Sequence, residues 1–137
     1  MNRKLNSILL IEDDEATNFI NQMVIKRLDC TDHVHISWNG ADALDYLKGC
    51  VERATCQQPE LILLDINMPG LNGWEFLDEY EKLQPEEKGK IVVVMLTTSL
   101  NPEDKHRASL NPSVAGFKNK PLTPSLMKEI LKQYFTL

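Results

Sequence analysis

No apolar run in this sequence approaches the length of a helix that crosses a bilayer. The run Ile8 to Ile11, behind Met1-Asn2-Arg3-Lys4, is also too short for a signal peptide. Both absences point to a cytoplasmic protein without a membrane partner. Positive charge is scarce: 15 Lys and Arg face 20 Asp and Glu, for a net charge of −5 and a pI near 5.2. That balance argues against a broad basic face, so no nucleic acid is expected as partner. Cysteine is sparse and odd in number, with Cys30, Cys50 and Cys56 outside any metal-type pairing. Free thiols in a reducing compartment are the simplest reading. His33, His35 and His106 have no second His or Cys at ligand spacing and are expected on the surface or in a strand. Internal repeats, low-complexity tracts and a linker to a second domain are lacking as well.

What remains is an ordinary globular composition, 42% hydrophobic and 26% charged over 137 residues. One domain spanning 1–137 is expected, large enough to bury a real core. Its apolar residues alternate between two periods. Ile8 to Ile11 is continuous, as in a strand covered on both faces, and stops at Glu12-Asp13-Asp14-Glu15. A helix follows with Ala16, Phe19, Ile20, Met23, Val24 and Leu28 on one stripe. His33 to Trp38 reads as a second strand, and Ala43, Leu44 and Leu47 mark a short second helix after Asn39-Gly40. Cys50 to Glu60 is a helix end plus surface loop.

Leu61 to Leu77, LILLDINMPGLNGWEFL, is a buried strand ending at a carboxylate, then a turn cluster and a helix facing inward through Trp74, Leu77, Tyr80 and Leu83. Pro85 to Gly89 is a charged surface connection, and Ile91 to Leu96 is the strongest strand. Asn101-Pro102 caps and opens a helix to about Leu110, with few anchors beyond Ala108 and Leu110. That helix is expected to be the most loosely held. Gly116 to Asn119 is a fifth strand, and Thr123-Pro124 opens a last helix striped by Leu126, Met127, Ile130, Leu131, Tyr134 and Phe135.

Strands alternating with helices predict an α/β fold, a doubly wound five-stranded parallel sheet in the order 2-1-3-4-5, flavodoxin-like. In that order the tips of strands 1, 3 and 4 converge, carrying Glu12-Asp13, Asp65 and Thr97, with Lys120 just beyond strand 5. Clustered carboxylates repel unless a cation sits among them. Hard oxygen ligands favour Mg²⁺, and a lysine and hydroxyl aimed at one spot suit a phosphoryl group in transfer. No serine, cysteine or histidine stands as nucleophile, which leaves Asp65 to become an aspartyl phosphate.

The blocks ILLIEDDE, NGADALDYL, LILLDINMPGLNGWEFL, VVVMLTTS and GFKNKP, in that order, resemble the receiver domain of two-component response regulators. The likeness is to the single-domain, chemotaxis-regulator-like type, without an output domain. It implies transfer from a phosphohistidine of a sensor histidine kinase or histidine phosphotransfer protein to Asp65. A surface switch for a downstream protein target and autodephosphorylation would follow. It implies Asp13, Asp65 and the Asn67 backbone carbonyl as direct Mg²⁺ ligands, with Glu12 acting through water. Thr97 then bonds the phosphoryl oxygen, Lys120 pairs with its charge, and the bond to Pro121 is cis. Phe117 holds the aromatic switch position coupled to Thr97, where the family more often has tyrosine. Asn67 and Ser99 flank the phosphoryl group and tune dephosphorylation. The implied readout face is Asn101 to Leu110, Gly116 to Lys118 and the last helix, in a monomer or weak dimer. Such a domain acts on itself and is no turnover enzyme on a separate substrate. The alternative is a haloacid-dehalogenase-like Mg²⁺-dependent phosphatase, which also uses an Asp nucleophile. That class usually carries an acid where Asn67 stands, and it needs a substrate pocket.

Overall fold

Strands built from unbroken apolar runs need cover on both faces, and the helices supply it. The computed structural model describes residues 4–53, 56, 58–88 and 91–135. The strands are β1 (Ile8–Ile11), β2 (Val34–Ser37), β3 (Leu61–Leu64), β4 (Val92–Thr97) and β5 (Gly116–Asn119). They alternate with α1 (Glu15–Leu28), α2 (Gly40–Glu52), α3 (Gly73–Glu81), α4 (Pro102–Leu110) and α5 (Pro124–Phe135). A single helical turn, Pro85–Lys88, lies in the expected charged connection before β4. Gly89, at the end of that connection, lies outside the described residues, as do Ala54, Thr55 and Gln57 of the polar stretch before β3. All strand pairs are parallel, in the order β2-β1-β3-β4-β5. The expected flavodoxin-like topology is the observed one.

Alternation along the strands divides the core in two. Leu9, Ile11, Ile62, Leu64, Val93 and Met95 face α2 and α3, meeting Ala43, Leu47, Phe76, Leu77 and Tyr80. Ile8, Leu10, Leu61, Leu63, Val94 and Leu96 face α1 and α5, meeting Val24, Ile25, Met127, Ile130 and Leu131. Asn39 caps α2, whose 13 residues make it longer than the apolar spacing alone indicated. Asn72 and Glu75 form a reciprocal capping box at α3. Asn101 caps α4, with proline at its first position.

Three expectations need correction. On α1 the buried residues are Asn18, Asn21, Val24 and Ile25, while Phe19 is 63% and Met23 57% exposed. The polar face turns inward because Asn18 Nδ2 donates to the Glu12 carbonyl at 2.9 Å, tying the helix to the acidic loop. On α4 Leu110 is 70% exposed and anchors nothing; Ala108 is the buried residue of that helix. The third concerns the cysteines. Cys50 and Cys56 are disulfide-bonded, because the C-terminal turn of α2 brings their Cα atoms to 5.3 Å, and Cys30 alone is a free, buried thiol.

Candidate functional site

The carboxyl ends of β1, β3 and β4 deliver the acids and the hydroxyl, and Lys120 follows β5. The backbone N–H of Glu12 continues the sheet beyond β1 by donating to Ser37 O, and that of Asp65 does so beyond β3 by donating to Ile11 O. Both side chains are buried, at 3% and 6% exposure, whereas Asp13 is exposed. Carboxylate oxygens of Glu12, Asp13 and Asp65 all lie within 4.8 Å of one another. Lys120 answers them with an ion pair to Glu12 and a second contact to Asp65 Oδ1 at 3.5 Å. Asp14 is not part of this set; it caps α1 by accepting from Thr17 N and Thr17 Oγ1. Glu15 takes the first turn of the helix, where the macrodipole favours an acid.

The loop after β3 must fold tightly to present Asp65. Gly73 starts α3 against it and donates to Ile66 O at 2.8 Å. A Cβ at that position would sit 2.5 Å from the Asp65 carbonyl oxygen, so only glycine permits this approach. Asn67 is exposed in the same loop, two residues past Asp65.

Thr97, fully buried at the end of β4, accepts from Ser99 N at 3.1 Å and receives Lys120 N on its carbonyl at 2.9 Å. The Lys120–Pro121 peptide bond is cis. Ser99 Oγ is directed at Asp104 of α4, donating at 2.6 Å, and Asn119 Nδ2 donates to Ser99 O at 2.9 Å. Phe117 is half-buried on β5, packed against the core under α2 and α3, and lines a groove of about 290 Å³ between α4 and β5. Trp74 and Phe76 are core residues; the Arg107 guanidinium of α4 stacks 4.4 Å from the Trp74 ring. Sequence reasoning overlooked Asn18, Asp104 and Asn119. Only Asn119, inside GFKNKP, lay in a block that could have flagged it.

The electrostatics follow from too many acids in too little water. Burial pushes the Glu12 carboxyl up to about 7; the Lys120 hydrogen bond opposes the rise and the Asp65 charge adds to it. Burial likewise raises Asp65, against the pull of Lys120. One ammonium does not offset three carboxylates, and every donor in the set is a hard oxygen. The set fits a small divalent cation of the Mg²⁺ type. Chemically, it combines a buried carboxylate, a neighbouring ammonium and a buried hydroxyl at the carboxyl ends of the strands. Those are the parts needed to accept and hold a phosphoryl group.

This site on this fold defines an α/β domain with an acidic pocket at the carboxyl ends of its parallel strands. The response regulator receiver domain family matches residues 8–132. A two-component response regulator structure from Cytophaga hutchinsonii superposes with a TM-score of 0.87 at 31% identity, covering 98% of this chain and 100% of that one. Response regulator Rcp1 of Synechocystis sp. is 39% identical over 97 residues, 71% of this chain and 65% of that protein. The Mn(2+)-bound form of Rcp1 superposes with a TM-score of 0.72 at 32% identity, covering 94% and 93%. The phosphorylated cyanobacterial phytochrome response regulator RcpA superposes with a TM-score of 0.74 at 31% identity, covering 96% and 90%. The chain belongs to the response regulator receiver family of two-component signalling.

Proposed function

We propose that this receiver accepts a phosphoryl group on Asp65 from a phosphohistidine of a sensor kinase or histidine phosphotransfer protein. The observation that carries this reading is the Glu12–Asp13–Asp65 cluster, with Glu12 and Asp65 buried and Asp13 exposed, neutralised in part by Lys120. Receiver domains are phosphorylated by histidine kinases. The phosphorylated RcpA and Mn(2+)-bound Rcp1 structures are consistent with the same chemistry on a similar scaffold.

The reaction begins with Asp65 ionised. An Oδ atom attacks phosphorus in line, the P–N bond to imidazole breaks, and its electron pair stays on the imidazole nitrogen. Asp13, Asp65 and the Asn67 carbonyl, with Glu12 beside them, would hold Mg²⁺, which would supply positive charge against the phosphoryl oxygens. Lys120, already 3.5 Å from Asp65, pairs with the incoming charge in exchange for its contact to Glu12. Thr97 turns its hydroxyl to a phosphoryl oxygen. Ser99 N–H rests on that hydroxyl and Ser99 Oγ on Asp104, so α4 is drawn along. Phe117 follows by packing into the space beside α4. The readout is the α4-β5-α5 face, offered to a downstream protein in the cytoplasm by a monomer or weak dimer. Asn67 and Ser99 set how readily water hydrolyses the acyl phosphate. Family membership favours this reading over the dehalogenase-like one.

The test is direct. With Mg²⁺ and acetyl phosphate, intact-mass analysis should show one added phosphoryl group on the wild type and none on Asp65→Asn. An adduct of equal yield on Asp65→Asn would sink the assignment.

A further inference from the structure

At the opposite end of the sheet from Asp65, the residues that precede β1 and open β2 meet the C-terminal turn of α2. They form an open cleft of about 400 Å³ whose lining includes Ser7, His35, Tyr46, Arg53 and Cys56. The Tyr46 ring there is stacked on His35 at 3.8 Å and lies 5.5 Å from the Arg53 guanidinium. The Cys50–Cys56 bridge closes the cleft's edge.

The two sulfurs of this bridge are not equivalent. Cys50 is 5% exposed and part of the helix, whereas Cys56 is half-buried and lines the cleft. Arg53 Nη2 approaches Cys56 Sγ at 3.8 Å, and the Tyr46 hydroxyl lies 3.6 Å from the same atom. A guanidinium and a hydroxyl beside a sulfur favour its thiolate, the form that leaves and attacks in thiol exchange. The bridge joins residues only six apart, so it restrains the unfolded chain less than a long-range bridge would. The third cysteine, Cys30, is buried on the other face of the sheet and takes no part.

We propose that Cys50 and Cys56 are a reversible thiol–disulfide pair that exchanges with a dithiol reductant through Cys56 in the cleft beside Arg53. The reductant's thiolate attacks Cys56 Sγ, the S–S bond breaks, and its electron pair leaves on Cys50, which takes a proton. The reductant's second thiol then attacks its own sulfur in the mixed disulfide, expelling Cys56 as a thiolate next to Arg53. Overall the protein gains two electrons and the dithiol becomes a disulfide; of its two protons one is taken by Cys50 and the other goes to solvent while Cys56 stays a thiolate. Reduction frees Cys56 from α2 and with it the Arg53–Tyr46–His35 stack. The pair is independent of the role given to Asp65.

The experiment uses the full folded chain in dithiothreitol redox buffers without denaturant. Thiols are trapped with acid, alkylated after unfolding and counted by intact mass, with peptide mapping. The expected result is a reversible transition between one alkylated cysteine, Cys30, and all three cysteines of the chain while far-UV circular dichroism stays native. Arg53→Gln, on an exposed side chain, should slow both reduction and re-oxidation several-fold with the fold intact. A bridge that opens only with unfolding would overturn the proposal. So would three free thiols under oxidising buffer, or exchange rates indifferent to Arg53→Gln.

Discussion

At the scale of single residues, the site is a problem in crowded negative charge. Glu12 is the clearest case, because burial holds its carboxyl near 7 although Lys120 stands against it. An acid whose folded value lies above its unfolded one stabilises the fold at low pH. It loses that contribution as pH rises through the folded value. For Glu12 the window runs from about 4.5 to about 7. In metal-free buffer the Tm of the wild type should therefore fall across that window, by an equivalent on the order of 1–3 kcal/mol. Glu12→Gln should flatten the fall, and Mg²⁺, which binds ionised carboxylates, should raise Tm more at pH 8 than at pH 5. Differential scanning calorimetry across pH reads all three. A wild-type profile that Glu12→Gln leaves unchanged would show that burial at this position does not govern its titration.

At the scale of elements, the strands were legible and one helix face was not. β1 and β3 are unbroken apolar runs that end in an acid, so their limits and their buried character could be read directly. α1 carries two superimposed periodic stripes, and hydrophobicity picks the wrong one. Asn18 turns inward because the end of β1 offers a carbonyl, a tertiary partner invisible in local sequence, and Asn21 is buried on the same face. The prediction is a reversal of the usual expectation. Asn18→Ala should cost about 1–2 kcal/mol in urea unfolding through the lost bond to Glu12 O, and Phe19→Ala should stay within about 0.5 kcal/mol. Equal losses at both positions would restore the apolar stripe. The same limit hid the link from Ser99 to Asp104, which forms only when β4 and α4 are in place, and the bridge between Cys50 and Cys56. The expected looseness of α4 has a physical counterpart. Its attachments are Ala108, the stacking of Arg107 on Trp74, and the Ser99 contact, in place of a buried stripe.

At the scale of the whole molecule, the sheet order concentrates the acidic cluster and its lysine at the carboxyl ends of the strands. Because β1, β3 and β4 are neighbours, acids far apart in sequence meet, and Lys120 reaches them from beyond β5. The amino ends of β1 and β2 hold the Tyr46 cleft and the disulfide. The central claim is that the phosphoryl group enters through Asp65 and no other acid of the cluster. It is tested most directly by phosphorylating the chain with acetyl phosphate and Mg²⁺, reducing the acyl phosphate with borohydride, and sequencing the peptides by mass spectrometry. The account predicts homoserine at position 65. Homoserine at Asp13 or Asp14, or phosphate retained on a serine or threonine with Asp65 intact, would contradict it.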